Sequence, residues 1–386
     1  MQKVLASNGI YFSLSPLWPW QGRSKSKEES GLGSHQRAET SNAFFEDLHV
    51  AKMPKHKYGY RGNVGDIALL RDGRLLICYT ESGDILGDNV GAGDIVKRYS
   101  GDQGKTWSEP ERLIARAKPF REDEGYWHPS LLRLQNGQLL LSYIYFYFSE
   151  SFPRFAHTYY RRSTDDGESW GDQLIATPLA GTNHVFNDKL IQLPSGRILA
   201  PCEKEIREEG DDHSGYISYV FYSDDDGYSW HRSDNVIDIL PVEAQEPHVV
   251  PLKDGSLLML CRTHSGYIVR SYSEDEGVTW SPAEHVRSLT LSIVGSALNV
   301  KRIPSTGDLL LLRSTDTKNR LRTPFVSAIS RDEGRTWIHE RPVGSDPDED
   351  YGYPSLTFVN DMALVSYHKR DGIYVARIDI DWFYGK

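Results

Sequence analysis

Five segments of the chain share the pattern Ser-x-Asp-x-Gly-x-x-Trp: Ser100 to Trp107, Ser163 to Trp170, Ser223 to Trp230, Ser273 to Trp280 and Ser330 to Trp337. A signal repeated at this period means one supersecondary unit used again and again, stacked or set around an axis. The residue types specify a hairpin turn. The Asp side chain can accept from the backbone amides of its own turn. The Gly supplies a left-handed position, and the Trp lays its ring on the edge of its sheet. We read these segments as structural pins, despite their many carboxylates.

A second repeat lies between the first: an apolar strand, a tight turn and another apolar strand. Its copies are DIALLRDGRLLICY, SLLRLQNGQLLLSY, KLIQLPSGRILAPC, VVPLKDGSLLMLC, NVKRIPSTGDLLLL and LTFVNDMALVSY. Asp-Gly, Asn-Gly and Ser-Gly are hairpin signals. Six hairpins, with five pinned turns spaced 50 to 63 residues apart, predict an all-β chain folded as a six-bladed β-propeller. The first blade begins near Asn63 and the last ends after IYVARIDIDW. The sixth blade is therefore expected to take its outer strand from FEDLHVAKM, which would protect an edge and close the ring. Residues 1–40 are rich in Ser, Gly, Lys and Glu without periodicity, and are expected to be a poorly ordered extension of a propeller spanning 41–386.

Composition narrows the function classes. The net charge of -10 gives no footprint for nucleic acid, so any anionic ligand must be held by local cations. No apolar run approaches the length of a membrane span, and no basic-then-apolar leader opens the chain, so the expected location is cytoplasmic by default. Cys78, Cys202 and Cys261 each fall in an apolar strand of a different repeat. An odd count without paired spacing reads as buried core residues, not as a disulfide framework or zinc site. No cofactor is expected. Metal ligation by His128 and His184 has no supporting spacing.

In a propeller the innermost strand of each blade starts near the axis. Counting eight residues back from each hairpin turn reaches His128, Asn187, Glu246 and Tyr353 in four blades. In the first and fifth blades the count reaches Val64 and Leu298, with Asn63 and Asn299 adjacent. A strand entering a core ordinarily offers Val, Ile or Leu there. Glu, His, Tyr and Asn at one register read as a functional ring. His184 and Asp188 add polarity close by; His128 and His184 read as sugar contacts or proton carriers, and His248, on the same strand face as Glu246, is expected to line the funnel too. The acidic run EKEIREEGDDH is read as a solvated loop, and YIYFYFSESFPRFAHTYY as part strand and part aromatic wall.

The Ser-x-Asp-x-Gly-x-x-Trp turns closely resemble the Asp-boxes of the sialidase superfamily, and the resemblance covers about residues 55–380. It implies a catalytic Glu opening the innermost strand of one blade, with an Arg on the next strand. QEPHVVPLKDGSLLMLCR is similar, with Glu246 and Arg262. It implies a further Arg before the last Asp-box, where NRLRTPFVSAISRDEGRTW offers Arg322, and a Tyr nucleophile in the final blade, where YGYPSL offers Tyr353. The family's acid/base Asp lies on a loop of the first blade. ESGDILGDNVGAGDIVKRYS offers Asp84, Asp88 and Asp94; spacing selects Asp88, and Asp94 sits where a strand starts. In such an enzyme arginines grip the substrate carboxylate bidentately. A neutral Tyr deprotonated by a Glu avoids the repulsion that this carboxylate would impose on a carboxylate nucleophile.

Two positions depart from the family pattern. The family opens its first blade with Tyr-Arg-Ile-Pro; in YRGNVGD, Asn63 stands where the family has Arg, and Arg61 two residues earlier. His368, in SYHK, stands where the family has a Glu supporting that Arg. The implied function is a sialidase-like exo-glycoside hydrolase acting on a glycan with a terminal acidic sugar. Open alternatives are a different acidic sugar such as a uronate, Arg61 reaching in from its loop, a uronate-directed hydrolase or lyase on the same fold, and a non-catalytic glycan-binding propeller.

Overall fold

The apolar strands of the hairpins read as nearly continuous hydrophobic runs because each is buried on both faces. On the second strand of the first blade, Leu75, Ile77 and Tyr79 pack toward Leu364 and Val375 of the sixth blade, whereas Leu76 and Cys78 pack toward Leu139 and Leu141 of the second. The alternation follows from the two-residue period of a strand. Equivalent cores join second to third, third to fourth, fourth to fifth and fifth to sixth blades, so the ring is closed by apolar contact all the way round. All three cysteines are free and buried within these cores.

The computed structural model describes residues 43–53, 59–82, 93–115, 124–147, 155–206, 215–239, 242–293, 295, 297–316, 318 and 321–386. The expected extension, residues 1–40, lies outside them. Blade one comprises Gly65–Leu69, Leu75–Ser82, Gly93–Ser100 and Glu111–Ile114. Blade four comprises Gln245–Pro251, Leu257–Arg262, Tyr267–Ser273 and Glu284–Thr290, and blade five Asn299–Arg302, Leu309–Ser314, Phe325–Ser330 and Ile338–Gly344. Blade six comprises Gly352–Val359, Met362–Lys369 and Gly372–Asp379. Its outer strand is Phe45–Lys52, paired antiparallel with Gly372–Asp379. That is the expected closure by the FEDLHVAKM segment.

Blades two and three share one sheet. Thr182–His184 pairs parallel with Phe155–Ser163 of blade two and antiparallel with Ile198–Ile206 of blade three. The innermost strand of blade three is therefore broken: Thr182–His184 and Ile191–Gln192 both pair with Ile198–Ile206, and residues 185–190 between them leave the ladder.

The five boxes take the turn expected of them. In the first, Asp102 Oδ1 accepts from Ser100 Oγ at 2.8 Å and from Thr106 N at 2.9 Å, and Asp102 Oδ2 accepts from Thr106 Oγ1 at 2.7 Å. Trp107 Nε1 donates to Gly104 O at 3.1 Å. The Gly of every box is left-handed (φ 86, 89, 91, 88 and 81°), and so is the residue before it. Donation from Thr106 holds the Asp102 carboxyl down at about 2.

Candidate active site

Three inner strands carry a bulge where they reach the axis. Pairing slips between Trp127 and Ser130, between Gln245 and His248, and between Gly352 and Ser355. The bulged residues are His128, Glu246 and Tyr353, at φ 51, 47 and 51°, and a proline follows each. Proline is tolerated at bulges because its missing N–H is not needed there. A bulge re-aims the side chain it carries, and left-handed non-glycine backbone persists only where its surroundings hold it. The shared X-Pro step was a sequence signal for this register, additional to the count from the turn.

The three re-aimed side chains meet. Tyr353 Oη donates to Glu246 Oε1 at 2.6 Å, both side chains buried. Arg262 Nη1 also donates to Glu246 Oε1, and Glu246 N donates to Glu203 Oε2 at 2.9 Å. Burial by itself would raise the Glu246 carboxyl, but the Arg262 guanidinium and the Tyr353 hydroxyl outweigh it and hold it below the usual range. Burial, then the Glu246 charge, push the Tyr353 phenol well up. The resting pair is therefore phenol and carboxylate. The ring of His128 lies 4.9 Å from that of Tyr353, and burial lowers His128 to about 4, so its imidazole is neutral.

The cations sit unevenly. Arg322 stacks its guanidinium 5.1 Å from the Tyr353 ring and donates from Nε to Gly295 O at 2.7 Å; its buried Nη1 has no hydrogen-bond partner among the described residues. Arg262 is the counter-ion of Glu246, with Nη2 3.2 Å from His264 Nε2. In this structure, then, its two terminal nitrogens are engaged by protein groups and do not form the open carboxylate fork expected from sequence, while its buried Nε has no hydrogen-bond partner among the described residues. Gly295, at φ 64°, packs on the Arg262 guanidinium so closely that any side chain there would run into it. Arg61 donates from Nε to Asp350 Oδ2 at 2.9 Å, and Asp350 Oδ1 accepts from Arg322 N at 2.9 Å. Asp350 thus ties Arg61, from the turn before blade one, to Arg322. His368 is buried beside them, and burial, with the Arg322 charge, lowers it to about 3. A Cβ on Gly352 would stand 3.0 Å from His368 Cε1 and 3.1 Å from Arg322 Nη1. Asn63 is buried beside Val64, which packs with Phe186, Ala297 and Tyr353.

Two residues expected to touch substrate instead serve the frame. Residues 187–189, in the break of blade three's inner strand, reach across the axis. Asp188 Oδ2 accepts from Asn299 Nδ2 and from Leu356 N, both at 2.7 Å; Oδ1 accepts from Lys301; and its amide donates to Ser130 Oγ at 3.0 Å. Asp188 is thereby a pin between blades two, three, five and six, not a sugar contact, because both its oxygens are taken. Lys189 reaches His248 Nδ1 at 3.1 Å and the carbonyl of Leu298, so His248 is buried against a lysine and does not line the funnel. Burial lowers Lys189 to about 8. Asp66, accepting from Leu131 N at 2.8 Å, is raised to about 7 by burial and then by the charge of Asp188. Asn187 bonds to both His128 and Tyr353. Because the inner strand breaks here, the left-handed residue of blade three is Asp188, one past the counted position.

Glu203 is what sequence reasoning missed. It opens the run read as a solvated loop, yet it is buried, accepts from Glu246 N and lies 3.7 Å from His184 Nδ1. Its register gave a signal: Glu203 and Arg262 each follow the cysteine of their strand. Asp84 and Asp88 lie outside the described residues. Asp94 is on a strand and pairs with Arg112 at 2.9 Å. Among the described residues no cluster of His, Cys, Asp and Glu could hold a metal ion.

The BNR repeat-like domain model matches residues 73–366. The chain belongs to the BNR repeat-like domain family. Within it, this chain is 26% identical over 344 residues to a sialidase of Micromonospora viridifaciens, covering 81% of this chain and 50% of that protein. It is 32% identical over 158 residues to human Sialidase-4, covering 37% of this chain and 32% of that one. The chain thus spans half the length of the first relative and a third of the second. The fold matches a solved NanB sialidase from Streptococcus pneumoniae with a TM-score of 0.67 at 15% identity, covering 86% of this chain and 70% of that one. This BNR repeat-like propeller accordingly shares the sialidase fold. No helix among the described residues is long and apolar enough to cross a membrane.

Proposed function

We propose that the protein is an exo-acting, retaining glycoside hydrolase of sialidase type that removes a terminal acidic sugar from a glycan. The observation that carries this reading is the 2.6 Å hydrogen bond from Tyr353 Oη to a Glu246 carboxylate held ionised by Arg262. In the first step Tyr353 Oη bonds to the anomeric carbon as its proton passes to Glu246, and the glycosidic bond breaks toward the leaving oxygen. Arg322, beneath the Tyr353 ring, stabilises the developing phenolate. An acid must protonate the leaving oxygen; the family resemblance assigns this to Asp88. Water then attacks the anomeric carbon as the bond to Tyr353 Oη breaks; the water's proton passes to the group that had protonated the leaving oxygen, and Glu246 returns its proton to Tyr353. The unpartnered Nη1 of Arg322, with Arg61 brought alongside through Asp350, supplies the anion grip, as buried charged donors call for an ionic partner. Sialic acid, the substrate class that the relatives' names imply, has the required carboxylate.

The test is release of 4-methylumbelliferone from its α-sialoside, beside uronide and neutral glycosides. Tyr353→Phe should lower kcat on the cleaved acidic glycoside on the order of a thousandfold or more, with KM little changed. Retained turnover in this variant sinks the assignment. A second reading, uronate-directed elimination, is favoured by the neutral His128 ring beside Tyr353. It would show as an ultraviolet-absorbing unsaturated product from a polyuronate, with no release of methylumbelliferone.

A further inference from the structure

We infer that His128 reads a hydrogen-bond donor on the bound sugar, a hydroxyl or an amide N–H, through Nε2, and that Asn187 is the positioning residue that sets its tautomer. The inference rests on the glycan-site reading above and adds a specificity determinant to it.

The carbonyl of Tyr353 can only accept, and Asn187 Nδ2 donates to it at 3.0 Å. Turning the amide over would set two acceptors against each other, so the orientation is decided by the backbone it faces. Asn187 Oδ1 then faces His128, 3.2 Å from Nδ1. An amide oxygen cannot donate, so Nδ1 carries the imidazole proton. The buried ring is neutral at ordinary pH. Nε2 is consequently a lone pair.

The ring cannot turn away from this arrangement. It is tilted on Tyr353 at 4.9 Å and edge-on to Phe186 at 4.7 Å. Its backbone is left-handed at φ 51° and followed by Pro129. An acceptor held beside the nucleophile would repel a carboxylate and attract an O–H or N–H. The two sides of the site are thus divided: arginines take the anion of an acidic sugar, and His128 takes one of its neutral donors. Asn187 couples the two halves, because the amide that orients His128 also ties the backbone of Tyr353.

The tautomer is directly measurable. In nitrogen-detected NMR of the full chain, with His128 assigned from its loss in His128→Gln, wild-type His128 should be the Nδ1–H form from pH 6 to 8, and Asn187→Leu should release it toward the Nε2–H form common in free histidine. An Nε2–H form in the wild type overturns the inference, whatever the activity. N-acetylneuraminic, glucuronic and galacturonic acids are then titrated in. Whichever binds should shift His128 Nε2. Binding that moves other resonances and leaves Nε2 still overturns the acceptor role alone. No response in any resonance overturns the glycan-site reading, and the acceptor role with it. On the acidic glycoside that is cleaved, His128→Leu should raise KM about 10- to 50-fold, whereas His128→Gln, whose amide oxygen can replace Nε2, should stay within about threefold. Equal losses for the two variants would reduce His128 to a packing role.

Discussion

Aspartate gathers donors in two regions of this molecule, and the two differ in reach. In each box turn the partners are no more than four residues away, as from Asp102 to Ser100 and Thr106. At the axis, Asp188 is bonded to groups 58, 111, 113 and 168 residues away. The box carboxylates lie near solvent and occur five times; Asp188 is buried and occurs once. A local pin forms as soon as its own turn does and supports one hairpin. An axial pin forms only when blades two, three, five and six are in place, and its loss is felt by all of them. The repeat builds the frame, and the departures from the repeat build the centre.

The largest test of this contrast is Asp188→Ala. It leaves Asn299 Nδ2, the Leu356 amide and Lys301 without their acceptor, and should cost about 3–5 kcal/mol in urea unfolding. A cost near 1 kcal/mol would put the axial aspartate on a par with a box. The next test separates the regions by pH. His128 and His368 sit at about 4 and 3 in the fold against 6.5 for a free imidazole. The unfolded chain therefore takes up their protons first, and stability present above pH 6.5 is lost as the pH falls toward 4 and 3. The box aspartates, at about 2 against 3.8, lose their contribution only between pH 3.8 and 2. Thermal unfolding followed against pH should show the central loss first, on the order of 2–3 kcal/mol for His128, and His128→Gln should flatten that limb. An unchanged limb would mean that the centre is not where acid acts first. The smallest effect is expected from one box. Asp102→Ala should cost about 1 kcal/mol and leave glycoside turnover untouched. A loss of turnover would show that the turns transmit to the centre.

What could be read from the chain follows the same division. Ser-x-Asp-x-Gly-x-x-Trp turns and Asp-Gly hairpins are legible because all their partners lie within a few residues. Glu246, His128 and Tyr353 were reachable by counting, because the hairpin ladder carries register from the turn to the axis. Asp188 was misread because the inner strand of blade three breaks, and no local residue type announces that its oxygens go to Asn299, Lys301 and Leu356. Glu203 looked like the start of a charged loop because burial by a neighbouring blade leaves no mark on the segment itself. Arg61 met Arg322 through Asp350, a residue that neither the repeat nor the family pattern marked out.

The borrowed outer strand also sets an order in time. Phe45–Lys52 is made early and waits for Gly372–Asp379, which is made late. Glu246 likewise waits for Tyr353. During synthesis blades one to five are laid down before Tyr353, which arrives with the same closing segment that seals the ring. Completion of the Glu246–Tyr353 pair and circular closure then depend on the arrival of the same segment.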